Sequence, residues 1–475
     1  MNIAKLLFSL VFPAMFLSGV HAQKMWTLED CIDYAYKHNL TLRQKKLSVE
    51  SSEVNLAEAR MRMLPNLNAS VSNGFNSGRS IDPFTNQFTV QNINNARIGI
   101  SSGIILFNGF QIRNNIKMQQ QLVQASNFDL EVSRNDIGLS ISNAFLQVLF
   151  ARELVNVSRE QVGTTEEQLG RTRKFMEAGR LAESAVLDMQ AQLANDQLSL
   201  VNAENQLSMA LLTLFQLLDM GADSNDIIAP AFDNIPDPGI FSANQLYDSY
   251  LLKSAPELKA ADARLQAGAY SWKMAKGAYY PRLSFGGEIN TVYSESYQRM
   301  TGFSTYYFQI FDPDQNPIGF IPQTAPSGSE MTPFRTQLSQ NLGQTFAFSL
   351  SIPIFNNYST IASVKRARLD MENTKLSKLM TDNTIRRQIS QAYTEYLAAR
   401  ARYDASKASY EAQQESFLYA EKRYNANLLG SADYRIQRNN LQSAQSGFLQ
   451  AKYELVFRLK IIEFYKNGSI GPINR

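Results

Sequence analysis

Two proline-free runs limit what this chain can fold into more than any other feature. Prolines stand at 83 and 230 with none between them, and at 353 and 472 with none between. Both runs are rich in Gln, Ala, Leu, Glu and Asn. That composition suits continuous helix, whose interior a proline would break by removing a hydrogen bond and crowding the preceding turn. From Gly109 to Ala178 is 70 residues, and a straight helix of that length extends about 100 Å. No compact domain holds such a rod.

The rods belong to a duplicated unit. Tyr34, Lys37, Leu42 and Pro65 match Tyr250, Lys253, Leu258 and Pro281, each pair 216 positions apart. Further along, Phe107-Asn108, Ile141 and Ala144 match Phe355-Asn356, Ile389 and Ala392, 248 positions apart. The step of 32 is an insertion in the second unit, between Pro281 and Phe355. One long repeat is unlike the many short ones of a solenoid. Each unit reads as a helix (Leu28 to Met63; Gln245 to Ala278) closed by a proline, then two strands, then a long helical hairpin. Residues 23–220 form the first repeat and 243–465 the second. The segment 221–242, with Pro230, Pro236 and Pro238, is a linker by composition, and 466–475 is a tail.

The strands carry most of the functional information. Leu67, Ala69, Val71 and Phe75 alternate with Asn66, Asn68, Ser70, Ser72, Gly74 and Asn76 within 66–76. Within 97–107, Ile98, Ile100, Ile104 and Leu106 alternate with Arg97, Gly99, Ser101 and Gly103. In the second unit Leu283, Phe285 and Ile289 alternate with Arg282, Ser284, Glu288 and Asn290 within 282–293. The fourth run, 344–355, sets Phe346, Phe348, Leu350, Ile352 and Ile354 against Thr345, Ala347, Ser349 and Ser351. Each run has the length and period of a membrane β-strand. A soluble antiparallel sheet, one face buried and one wet, shows the same alternation. Two features favour the membrane: the apolar faces carry no Lys, Arg, Asp or Glu, and the opposite faces are small and polar, as a wet lumen requires. Four strands are too few to close a barrel, and an open edge cannot stand in lipid. A membrane barrel would therefore be shared between chains, with eight strands from two or twelve from three.

Composition excludes much else. Lys+Arg 46 against Asp+Glu 43 gives +3, no basic surface for nucleic acid. Cys31 is the only cysteine and His21 and His38 the only histidines, so a disulfide, a zinc site or Cys–His catalysis is not expected, nor is a cofactor. Lys5 followed by an apolar run from Leu6 to Val20 and the triplet Val20-His21-Ala22 reads as a signal peptide over 1–22, cut between Ala22 and Gln23. No later stretch has the roughly 18 apolar residues of a spanning helix.

These residues resemble the TolC-like outer-membrane efflux proteins. The resemblance rests on the opening Trp26-Thr27-Leu28-Glu29 and the duplicated helix–strand–strand–helix order. It rests also on the junctions Leu106-Phe107-Asn108-Gly109 and Pro353-Ile354-Phe355-Asn356-Asn357. Lys174-Phe175 with Gly179, and Arg423-Tyr424 with Gly430, follow each junction by about 70 residues. The resemblance implies a mainly α fold with membrane β: an antiparallel coiled-coil tunnel in the periplasm and four strands per protomer in a homotrimeric, twelve-stranded barrel in outer-membrane lipid. It implies export of small molecules or polypeptides, driven by an inner-membrane transporter through a periplasmic adaptor (membrane-fusion) protein. No nucleotide-binding glycine loop is present, so the chain is read as a conduit that cannot drive transport itself.

The resemblance also places a gate. Counted from Tyr424, Asp433 falls where the family has its first gate aspartate, and Ile436 takes the place of the second, a departure that makes the closure partly apolar. The alternative for Asp433 is to complement the helix dipole just after Ser431. Glu183 and Asp188 lie near the equivalent turn of the first unit, one residue out of register, and read first as solvated helix-face acids, with a gate role second. Phe175 and Tyr424 belong to the coil tips, where they pack between coils, while Lys174 and Arg423 hold the closed state or meet the adaptor. Loops at Arg79 to Asn95 and at about Ser294 to Gln340 are expected to face outside; the second, rich in aromatics, is expected first to pack on neighbouring protomers, with covering the pore or meeting a partner as the alternatives. The competing reading is a soluble periplasmic coiled-coil scaffold. An enzyme using Asp433 and Glu183 as an acid–base pair is the weakest.

Overall fold

The computed structural model describes residues 26–81, 88–90, 92–220, 242–253, 255–426 and 428–468. The cleavage site at Ala22 and Gln23, nearly all of the 221–242 linker and most of the tail lie outside them. The first half runs α1 (Leu28–His38), α2 (Leu40–Met61), β1 (Asn66–Asn76), β2 (Arg79–Ile81), β3 (Phe88–Val90), β4 (Ile93–Asn108), α3 (Gln111–Glu177) and α4 (Glu183–Leu218). The second runs α5 (Ala243–Lys253), α6 (Pro256–Lys276), β5 (Arg282–Ser294), β6 (Gln298–Phe311), β7 (Pro317–Met331), α7 (Phe334–Gln340), β8 (Gly343–Ser351), α8 (Ser359–Asn425) and α9 (Ser431–Asn467). The helices α3 and α8 each run 67 residues without interruption. Two compact units form, one from stretches within Met1–Val49, Ser126–Ala260 and Lys378–Arg475, the other from Glu50–Ala125 and Ala261–Ser377.

Within the first unit the duplication is visible as two equivalent cores. Leu28, Cys31 and Ala35 of α1 pack on Ile141, Phe145 and Leu149 of α3 and on Leu214 and Phe215 of α4. Leu246, Tyr247 and Tyr250 of α5 pack on Ile385 and Ile389 of α8 and on Leu459 and Ile462 of α9. Ile141 and Ile389, matched in the sequence, are both fully buried. Cys31 is buried in this apolar setting. Thr27 starts α1 by exchanging hydrogen bonds with Asp30, a reciprocal cap that satisfies two orphan donors.

The structure breaks both of the helices expected before the strands. Leu28 to Met63 divides at Asn39, whose side-chain oxygen accepts from the backbone N–H of Thr41 (3.0 Å) and Leu42 (3.2 Å) and so caps α2. Gln245 to Ala278 divides 216 positions later, at Ala255, whose φ is 38°. Pro256 follows as the first residue of α6, where a missing N–H removes no helical bond.

In the second unit the sheet order is β1-β4-β5-β8, all antiparallel. Side chains directly opposite in such a ladder share a face. The register therefore gathers Leu67, Val71, Ile98, Ile100, Phe285, Ile289, Phe346 and Phe348 on one face, and Ser70, Gly99, Ser101, Glu288, Thr345 and Ser349 on the other. A bulge between Ile105 and Phe107 corrects the expected alternation: Leu106 is the extra residue, and Phe107 takes the apolar face opposite Leu283. The strand expected over 97–107 extends from Ile93 to Asn108, and the one expected over 344–355 stops at Ser351. Both segments expected as outer loops hold more structure than a loop would. The first contains β2, β3 and the start of β4; the second contains the β6–β7 hairpin and α7.

The strand-to-helix junctions show why their motifs recur. Gly109 and Phe110 have φ of 62° and 63°, and Asn357 and Tyr358, 248 positions on, have 51° and 68°. Gly and Asn enter this left-handed region at the least steric cost. At Gly109 a Cβ would also lie 2.2 Å from the Gly277 carbonyl oxygen, so the close backbone approach admits no side chain there.

Candidate functional site: the helix tips and the sheet face

The tips are built the same way twice. In the first, Arg180 N–H bonds the Phe175 carbonyl at 2.8 Å and Gly179 N–H bonds that of Met176 at 2.9 Å. Gly179, at φ 68°, supplies the left-handed turn that this closure needs. In the second, Leu428 N–H bonds the Arg423 carbonyl at 2.8 Å. The ends of α3 and α8, the starts of α4 and α9 and the closing bonds of Arg180 and Leu428 each sit 248 positions apart. This corrects the pairing read from Lys174-Phe175 and Arg423-Tyr424, which lies one residue out. Phe175 is equivalent to Arg423 and Met176 to Tyr424, while Gly430 is the cap of α9, equivalent to Ala182 rather than Gly179.

With that register the acids sort themselves. Asp433 is equivalent to Ala185, and Asp188 to Ile436. Each of the two positions, one helical turn apart, thus carries an aspartate in one repeat and an aliphatic residue in the other. Asp433 is exposed in the first turn of α9; Ile436 is exposed beyond it. Asp188 is half-buried, 3.8 Å from the Arg435 guanidinium. Glu183 opens α4 and is exposed, as are Lys174 and Arg423. Phe175 and Tyr424 are half-buried along a groove of about 470 Å³ that Thr172, Leu181, Leu428 and Gly430 also line.

Below the tips lies a buried polar network that the sequence reading missed. Tyr434 is fully buried, its ring stacked on Tyr424 (centroids 4.5 Å apart) and its hydroxyl accepting from Gln168 Nε2 at 2.8 Å. One turn on, Arg438 is 2% exposed and donates to the Gln161 carbonyl at 2.9 Å, with its guanidinium 3.9 Å from Asp196, also 2% exposed. Asp196 accepts from the Thr165 hydroxyl and from Gln192 Nε2. Burial lowers the Arg438 pKa, and the Asp196 charge acts against that shift. A signal for the network was available. Gln161, Thr165, Gln168 and Thr172 recur at the three- and four-residue spacing of a core-facing helix stripe, where apolar residues are the rule.

Burial also pushes the Tyr434 phenol from 10.0 up to about 12. Since the fold holds it neutral, its contribution to stability is whole below pH 10 and is lost as pH rises toward 12. Tyr434→Phe is therefore expected to flatten part of the alkaline fall in apparent melting temperature, followed by circular dichroism. An unchanged alkaline slope would remove Tyr434 from that role.

The sheet of the second unit is a separate candidate surface. On the apolar face Val71, Phe346 and Phe348 are all more than half exposed, with no charged side chain on that face. The opposite face carries Arg97, Arg282 and Glu288 among serines, asparagines and glycines. Among the described residues, strands β1 and β8 each leave one edge unpaired. No described helix is long and apolar enough to cross a membrane.

A family model described as outer membrane efflux protein matches residues 31–219 and 249–459. The chain is 21% identical over 451 residues to the outer membrane efflux protein BepC of Brucella suis biovar 1 (strain 1330), covering 94% of this chain and 87% of that protein. Among solved structures it is similar to CusC, with a TM-score of 0.73 at 13% identity over 94% of this chain and 92% of that one. It is also similar to the Campylobacter jejuni CmeC outer membrane channel, with a TM-score of 0.72 at 18% identity over 94% and 87%.

Proposed function

The chain belongs to the outer membrane efflux protein family, and on that premise we propose that it is the outer-membrane exit duct of a tripartite efflux or type I secretion assembly. It conducts passively what an inner-membrane transporter exports through a periplasmic adaptor. Three copies close a twelve-stranded barrel, four strands from each, and the paired long helices form the periplasmic tunnel. One observation carries this reading: a four-stranded sheet with a charge-free apolar face and two unpaired edges. Edge N–H and C=O groups find no water in lipid, and four strands do not close a barrel, so neighbouring copies supply the missing pairing. Membership in an outer-membrane family replaces the soluble-scaffold alternative.

The expected native mass in detergent, after extraction from the outer membrane, is that of three chains. A stable monomer or dimer in that fraction would overturn the shared barrel.

At the tips, Asp433 and Asp188 line the narrow end of the tunnel. Three copies of Asp433 around one axis repel, which favours capture of a cation. Asp433→Ala is expected to raise resting conductance in a planar bilayer or relieve block by divalent cations; no change in either would end the gate assignment. Lys174 and Arg423, exposed beside the groove that Phe175 and Tyr424 line, are the adaptor-facing residues.

A further inference from the structure

The inserted segment between β5 and β8 is a built arm rather than a slack loop. Its root is locked by Gln337 of α7, which is fully buried. The Gln337 side-chain oxygen accepts from Ser294 N–H at 3.0 Å, and its Nε2 donates to the carbonyls of Ser294 (3.0 Å) and Thr332 (2.9 Å). Thr291 donates to the Leu338 carbonyl at 2.9 Å and Asn341 Nδ2 to that of Val292 at 2.8 Å. Phe334 sits edge-on to Tyr293, centroids 5.1 Å apart. From this root β6 and β7 rise as a two-stranded ribbon paired from Gln298↔Met331 to Phe311↔Pro317.

Two-stranded ribbons are marginal by themselves, and this one has no cover. Its register sets Phe303, Tyr307 and Phe320 on one face and Tyr306, Phe308 and Ile321 on the other. Their exposure runs from 48% to 72%. Together with Met300, Phe311 and Ile318 they leave apolar surface on the order of 1,000 Å² in water, shared between the two faces, so that each face alone has about the size of the largest patch of an ordinary monomer. Between Arg299 and Asp312, and again between Asp314 and Glu330, the ribbon carries no charge, and Arg299 and Glu330 pair with each other at its base, 3.1 Å apart.

We propose that this ribbon is an interface with a second copy of the chain, a collar that joins protomers beyond the membrane strands. The proposal rests on the shared-barrel reading. One face, on the order of 500 Å², supplies a large part of the roughly 800 Å² that each partner contributes to a stable interface. The ribbon is also continuous, through α7, with β8, one of the two sheet edges that a neighbouring copy must pair. Lipid does not account for it: β5 and β8 already have the 9–11 residues that a membrane strand needs, and the ribbon lies beyond them.

The test uses the full-length chain with the photoreactive residue benzoylphenylalanine in place of Tyr307 on one face or Phe308 on the other. After purification in detergent and irradiation, at least one position is expected to yield covalent dimers of the chain on a denaturing gel. Trimers by native mass with no chain-to-chain product from either position would overturn the collar while leaving the barrel intact; adducts only to lipid or to another protein would do the same. A monomer by native mass would instead bring down the shared barrel itself. A second variant, Tyr307→Ser with Phe308→Ser and Phe320→Ser, is expected to lower the temperature at which the trimer dissociates by several degrees. Side chains that merely face water would leave it unchanged.

Discussion

Phe348→Arg is expected to abolish assembly in the outer membrane, while Ser349→Arg, one residue along the same strand, leaves the trimer in place. Phe348 lies on the charge-free face of β8 opposite Phe285, their ring centroids 4.7 Å apart. A guanidinium on a lipid face near mid-membrane costs about 2–4 kcal/mol. Losing the aromatic pair adds about 0.5–1.5 kcal/mol. In the proposed trimer both costs would count three times in one barrel, enough to exceed the ordinary margin of stability. Ser349 points to the polar face, opposite Ser284. A charge there meets water and is expected to alter ion selectivity without affecting insertion. The measurement is the amount of heat-labile trimer in the outer-membrane fraction for each variant. Equal tolerance of the two substitutions would mean that the apolar face does not meet lipid.

The second large effect is expected at the buried ion pair. Arg438→Met leaves the Asp196 carboxylate with its Thr165 and Gln192 donors but without the cation. Breaking one side of a buried pair costs about 3–5 kcal/mol, whereas replacing both members by apolar groups is often neutral. The single variant should therefore lower the apparent melting temperature of the helices markedly, and Arg438→Met combined with Asp196→Leu should restore most of it. If the double variant is no more stable than the single one, the loss comes from the Arg438 bond to the Gln161 carbonyl rather than from the stranded charge.

The tip residues show how far a one-dimensional reading reaches. Asp433, Tyr424, Phe175 and Gly179 are named by short motifs, and each lies at or beside a helix end. Their pairing across the repeats went one residue astray because Lys174-Phe175 and Arg423-Tyr424 look alike while the closing bonds do not follow that likeness. The carbonyls that close the tips belong to Phe175 and Arg423, two chemically dissimilar residues, since backbone hydrogen bonds are indifferent to side-chain type. Tyr434, Arg438 and Asp196 went unread for a related reason. A polar residue on a helix reads as a solvated one until the facing helices are known, and their burial depends on α3, α4 and α9 meeting at one level.

By itself the sequence determined the duplication, the long helices, the four alternating strands and the charge-free faces, because each is a matter of local periodicity and of what proline and charge forbid. It also marked both strand-to-helix junctions, since Gly109 and Asn357 suit the left-handed backbone found there. The tertiary structure alone decided the sheet order, the bulge that sends Phe107 rather than Leu106 to the apolar face, the common register of the two tips and the pairing of Arg438 with Asp196. It also turned the expected outer loop into a rooted ribbon, through a single buried glutamine joining Ser294 to Thr332. These features arise from groups far apart in the chain competing for the same hydrogen bonds and the same buried space, and periodicity along one segment contains no record of that competition.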